Sequence, residues 1–87
     1  MRESTIEKKV TDYAKLKGWL SYKWVSTSNR GVPDRIYFKD GVCVIVEFKA
    51  TGKKPTRYQL AIHERLKSVG IHVFVIDDIE KGKNLFC

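Results

Sequence analysis

At 87 residues, the chain predicts one domain spanning residues 1–87. A domain this small buries only about 60% of its unfolded surface, which leaves a second copy of the chain much to add. The composition, 43% hydrophobic and 31% charged, excludes a disordered chain. The longest apolar run, 42–46, is far too short to cross a membrane. The polar opening Met1-Arg2-Glu3-Ser4-Thr5 lacks the apolar stretch of a secretory signal. Lys and Arg number 17 against 10 Asp and Glu, and a net charge of +7 makes a polyanion the natural partner. Of the two cysteines, Cys43 lies in an apolar run and Cys87 is the last residue. Neither suggests a disulfide framework or a zinc site, so a reducing cytoplasm is expected.

The elements follow in chain order. Ile6, Val10, Tyr13 and Ala14 recur at helical spacing and predict a helix over residues 5–17, stopped by Gly18. Residues 19–25 are rich in aromatics and read as a strand. Residues 26–31 are a loop by composition. Strands are expected over 34–39 and 42–49, joined by Asp40-Gly41, a two-residue hairpin signal. Residues 50–55 form a loop, and Thr56 opens a second helix. Tyr58, Ile62, Leu66 and Val69 give that helix its apolar stripe, and Gly70 ends it. A fourth strand covers 71–76, and the polar tail adds a short turn of helix. The order is α-β-β-β-α-β. A helix joins the last two strands, so they are expected to be parallel with a right-handed crossover in a mixed sheet. Both faces of the strand over 42–49 are apolar, which predicts a central position covered on both sides.

The hairpin fixes a register with chemical consequences. With Asp40 and Gly41 in the loop, Lys39 faces Val42, and counting back sets Asp34 opposite Glu47. Directly opposed residues have Cβ atoms about 4.5–5.5 Å apart on one sheet face, and like charges there are destabilising. Lys49, two residues beyond Glu47, shares the face. Burial against an apolar sheet raises the cost of the two carboxylates. A divalent cation between them removes the conflict, and oxygen ligands of this kind suit Mg²⁺ or Mn²⁺. The plainer alternative is a pair of strand-end charges in water, matched by Lys49 or Arg35. The cross-strand opposition with a lysine alongside favours a site.

Gly31-Val32-Pro33-Asp34 followed by Glu47-Phe48-Lys49 resembles the PD-(D/E)XK nuclease signature. The Gly-Val-Pro-Asp form, the upstream Glu7 and the downstream Gln59 make it similar to the virus-type replication-repair nuclease (VRR-NUC) branch, over about residues 7–77. The resemblance implies a restriction-endonuclease-like α/β fold with a four-stranded mixed sheet flanked by helices. It implies that Asp34 and Glu47 bind metal with the Phe48 carbonyl, that Glu7 joins them from the first helix, and that Lys49 assists the nucleophile.

The supporting residues have structural alternatives. Ser4-Thr5-Ile6-Glu7 also reads as a capping box, and so does Thr56-Arg57-Tyr58-Gln59, so Glu7 and Gln59 stand between cap and site. His63 lies one turn beyond Gln59, where a solvated helix face is the expectation. Lys53, Lys54 and Arg57 cluster after Lys49. Beside such a centre they read as contacts to a nucleic-acid backbone, aided by the start of the second helix. Ser28, Asn29 and Arg30 precede the Pro-Asp and are placed against the substrate strand. Trp19, Tyr22 and Trp24 offer aromatic surface for a twofold homodimer.

The expected activity is Mg²⁺- or Mn²⁺-dependent endonucleolytic cleavage of DNA, with a four-way junction favoured because stand-alone members of the branch resemble resolvases. The rivals are a flap or single-strand nickase working beside a helicase, and a basic domain that binds nucleic acid without cutting it. A binder needs no opposed carboxylates, which argues against the last.

Overall fold

A computed structural model describes all residues, 1–87. Its elements are α1 (Glu3–Leu16), β1 (Leu20–Lys23), β2 (Arg35–Lys39), β3 (Val42–Phe48), α2 (Arg57–Ser68), β4 (Val73–Ile76) and α3 (Ile79–Asn84). The strands lie in the order β1-β2-β3-β4, antiparallel up to β3 and parallel between β3 and β4. This is the expected mixed sheet with the α2 crossover.

The turn between β2 and β3 is the hairpin read from the sequence. Asp40 and Gly41 both take positive φ, 50° and 78°, which matches the twist of the flanking strands. Lys39 therefore pairs with Val42, and the register runs back to Arg35 opposite Val46.

One face of the sheet carries the core. Ile6, Val10 and Ala14 of α1 pack on Tyr37, Val44, Val46 and Phe48, with Ile76 and Phe86 completing the cluster. Thr11 and Tyr37, both buried, share a hydroxyl hydrogen bond of 2.8 Å inside it. The polar tail does more than the expected turn of helix. Asp78 caps α3 by accepting from the Lys81 amide, and Gly82 packs so closely on Val10 and Ile76 that a Cβ there would meet Val10 at 2.4 Å. α3 thereby seats Phe86 in the core, where Trp19 meets it edge-on at 5.2 Å.

Several expectations are corrected. α1 begins at Glu3, with Arg2 at the N-cap and no side-chain cap, so the Ser4–Glu7 capping box does not form. β1 is shorter than residues 19–25 and ends at Lys23, although the Trp24 amide still donates to the Asp34 carbonyl at 3.0 Å before the loop begins. No α2 residue is fully buried: Ile62 and Leu66 are half-buried, whereas Tyr58 and Val69 are exposed. α2 rests mainly on β4, so the second sheet face is only partly covered. Cys43, on that second face, is exposed for the same reason, Val42 is exposed at the hairpin end of the other face, and only Val44–Phe48 are buried.

Candidate metal centre and active site

Asp34 immediately precedes β2, and its amide donates to the Val46 carbonyl at 3.1 Å, extending the ladder one step. With Arg35 opposite Val46, the next opposed pair is Asp34 and Glu47. Asp34 Oδ2 also accepts from the Phe48 amide at 2.7 Å, which brings the Phe48 peptide to the carboxylates. Glu47 is 1% exposed, unusual for an acidic side chain.

Three groups surround the Glu47 carboxylate. Gln59 Nε2 donates to Oε2 at 2.9 Å. Lys49 Nζ lies 3.9 Å from the same oxygen, and His63 Nε2 lies 3.7 Å from Oε1. That last distance exceeds a hydrogen bond, and both Glu47 Oε1 and His63 Nε2 are buried without a partner. An orphaned carboxylate oxygen is costly unless something else occupies it.

The electrostatics agree. Burial, and then the charge of Asp34, push the Glu47 pKa up to about 8. Burial also raises Asp34, against the opposing pull of the Phe48 amide. Burial lowers His63, assisted by the Lys49 charge, so its imidazole is neutral at physiological pH. Without a cation, Glu47 holds a proton near neutrality.

Glu3 completes the cluster. Carboxylate oxygens of Glu3, Asp34 and Glu47 all lie within 4.8 Å of one another, and burial followed by the Asp34 charge raises the Glu3 pKa. Three hard oxygen donors, one atom of them buried and unpartnered, fit a divalent cation of the Mg²⁺ or Mn²⁺ kind.

The expectation that Glu7 joins these carboxylates is corrected by the geometry. Arg35 follows Asp34 and so projects to the opposite sheet face, where its Nε holds Glu7 Oε2 at 2.7 Å. Lys23 stands 3.7 Å from the same oxygen. Glu3, one helical turn earlier, takes the position expected of Glu7. Glu3 was missed in the sequence, although two glutamates at i and i+4 gave a signal for either.

Gln59 is both cap and site residue. Its Oε1 accepts from the Thr56 amide at 2.8 Å, and its own amide donates to Thr56 Oγ1 at 3.3 Å, closing a capping box. That box fixes the side-chain amide so that Nε2 faces Glu47. His63, expected on a solvated face, instead turns its ring toward the carboxylate and is 12% exposed. Its position one turn after Gln59 was the signal that could have found it.

Two basic lips, residues 53–57 and 28–30, meet at the Tyr58 ring, next to Gln59. Lys53 and Lys54 are exposed in the turn after Lys49. Arg57, the first residue of α2, lies over the Tyr58 ring at 5.3 Å, and Arg30 from the loop before β2 lies over it at 4.2 Å. Ser28 and Asn29 are exposed beside Arg30, with the Asn29 amide donating to Ser26 Oγ at 3.1 Å. Gly31 joins the two lips. Its φ is +84°, and a Cβ would come 2.6 Å from the Tyr58 carbonyl group, so glycine lets the loop press on the start of α2.

A solved VRR-NUC domain superposes with a TM-score of 0.86 and 29% identity, covering 95% of this chain and 91% of that one. The "Putative nuclease p44" of Acyrthosiphon pisum secondary endosymbiont phage 1 is 45% identical over 78 residues, 88% of this chain and 84% of that protein. The chain belongs to the VRR-NUC nuclease family. No family model matches it. The VRR-NUC fold accounts for the sheet order and the helices that flank it. No helix is long and apolar enough to cross a membrane.

Proposed function

We propose that this VRR-NUC chain is a divalent-metal-dependent DNA endonuclease. One observation carries the reading: Asp34 and buried Glu47 oppose each other at the open end of the β2–β3 hairpin, with a Glu47 oxygen unpartnered and Lys49 on the same face. Asp34, Glu47 and Glu3 are the residues that hold Mg²⁺ or Mn²⁺, and the Phe48 main chain lies beside them. When bound, the cation supplies Lewis acidity toward a phosphoryl oxygen and eases deprotonation of water.

The chain's own residues do the rest. Lys49 places a positive charge where the pentavalent phosphate gathers negative charge, and it orients the attacking water. Gln59 holds Glu47 by its Oε2, which leaves Oε1 without a hydrogen-bond partner and open to a cation. Glu7 steadies Arg35 rather than touching the reacting atoms. Lys53, Lys54 and Arg57 on one lip, and Ser28, Asn29 and Arg30 on the other, take phosphates of the substrate strand. The net charge of +7 draws the polyanion in.

The favoured substrate is branched DNA, with a four-way junction first. A junction presents two equivalent strands, and a twofold dimer presents two equivalent sites. The surface for such a dimer is the uncovered sheet face. Leu20 pairs across to Phe38, and Phe38 pairs to Cys43, in a row that leads along β3 toward Glu47. Leu20 and Tyr22 are 60% and 61% exposed, and both support that surface. Trp19 does not, because it packs on Phe86. The expected setting is the cytoplasm.

Cleavage of junction, flap, single-stranded and linear duplex DNA in parallel, with Mg²⁺ and with EDTA, tests the substrate. Paired cuts in the junction at the highest rate are expected. A preference for flap or single strand would move the reading to a nickase.

A further inference from the structure

A groove of about 320 Å³ lies between α1 and β1, on the sheet face opposite the carboxylate pair, and no hydrophobic residue lines it. It starts beside the centre, since Glu7 follows Glu3 by one turn of α1 and Arg35 follows Asp34 in the chain. Its walls are Glu7, Lys8, Thr11, Lys15, Lys23 and Arg35, with Asp12 at the rim. None of these side chains belongs to the carboxylate cluster.

The charges in the groove do not balance. Lys8 is matched by Asp12 at 2.8 Å and Arg35 by Glu7 at 2.7 Å. Lys23 reaches only the carboxylate already held by Arg35, at 3.7 Å, and Lys15 has no acidic partner within 4.0 Å. Arg35 is preorganised: Nε is held by Glu7 and Nη1 donates to Ser21 Oγ at 3.1 Å, which leaves its remaining amino group for a ligand. A fixed guanidinium beside two uncompensated ammonium groups is a site for phosphate oxygens. The absence of any apolar or aromatic wall suits a sugar–phosphate backbone and offers nothing on which a base could stack.

We infer that this groove binds the backbone of the substrate on the side of the cut away from Lys53, Lys54 and Arg57. The inference rests on the nuclease reading, and it gives the DNA a second track along α1. Lys15 and Lys23 are exposed, so their replacement leaves the fold intact.

The test is binding of a fluorescent four-way junction by the intact protein in EDTA, across a salt series. Each phosphate contact adds about 0.9 to the slope of log affinity against log salt. Lys15→Ala/Lys23→Ala is expected to lower that slope by about 2. The equally charged control Lys67→Ala/Lys81→Ala, at exposed positions of α2 and α3 outside the groove lining, is expected to leave the slope within about 0.5 of wild type. An unchanged slope in the first pair, an equal fall in both pairs, or no binding by the intact protein would overturn the groove. The nuclease reading fails separately, by an absence of metal-dependent cleavage in wild-type protein.

Discussion

Two glutamates one helical turn apart have different work. Glu3 sits among carboxylates, whereas Glu7 is bound to Arg35 with both side chains 17% exposed. Glu3→Gln is expected to weaken metal dependence at least about tenfold while shifting stability by no more than about 0.5 kcal/mol, as for other surface changes. Glu7→Gln leaves a half-buried guanidinium without its charge partner, and a loss of about 1–3 kcal/mol follows. Thermal melts and metal titrations of cleavage, run on both variants, separate the roles. Loss of all cleavage by Glu7→Gln at an unchanged melting temperature would return Glu7 to the metal centre. Glu47 gives a second prediction. Its pKa of about 8 lies above the ordinary 4.5, so folding favours the protonated form. That contribution is fully present below pH 4.5 and is lost as pH rises through about 8. In EDTA, the stability advantage of Glu47→Gln over wild type is therefore expected to widen between about pH 5 and about pH 9, by on the order of a few kcal/mol. Melts at the two pH values check it, and a constant difference would mean that the Glu47 carboxyl is not desolvated.

At the scale of elements, the site depends on the loop before β2 pressing against the start of α2. Gly31→Ala would drive a Cβ to within 2.6 Å of the Tyr58 carbonyl oxygen and 2.8 Å of the Gln59 nitrogen. Gly41→Ala shares the positive φ but meets nothing within 4 Å, so it isolates the backbone strain alone. Denaturant unfolding is expected to show Gly31→Ala losing at least about 2 kcal/mol and Gly41→Ala about 1 kcal/mol. Equal losses would remove the steric contact from the account. These contacts also mark where the sequence was legible. The Asp40-Gly41 turn determined the β2–β3 register, and with it the opposition of Asp34 and Glu47, through local chemistry alone. Glu3 was hidden because Ser4 looked like the better cap, a competition that the tertiary docking of α1 decides. His63 was hidden because its direction depends on how α2 rotates against β4, and an apolar stripe of four residues leaves that angle open. α3 was faint because six residues holding a glycine and three charges have little helical drive of their own. Their burial of Phe86 and the packing of Gly82 on Val10 supply it.

At the scale of the molecule, the two sheet faces differ. α1 and α3 pack over the core on one of them, and α2 leaves Leu20, Tyr22 and Phe38 exposed on the other. If that face joins two copies, sedimentation equilibrium at micromolar protein without DNA is expected to give twice the 10.1 kDa chain mass, and Tyr22→Lys to give the single mass. A wild-type species of 10.1 kDa would remove the preformed dimer and leave the nuclease. The carboxylate centre can be reached more directly than any interface, by the nicking of supercoiled DNA with wild-type protein and Asp34→Asn, each with Mg²⁺ and with EDTA. Cleavage is expected only for wild type with Mg²⁺, while Asp34→Asn binds the DNA as well as wild type or better, having lost a negative charge near phosphate. Nicking by Asp34→Asn at the wild-type rate, or by wild type in EDTA, would contradict a metal-dependent centre built on Asp34 and Glu47.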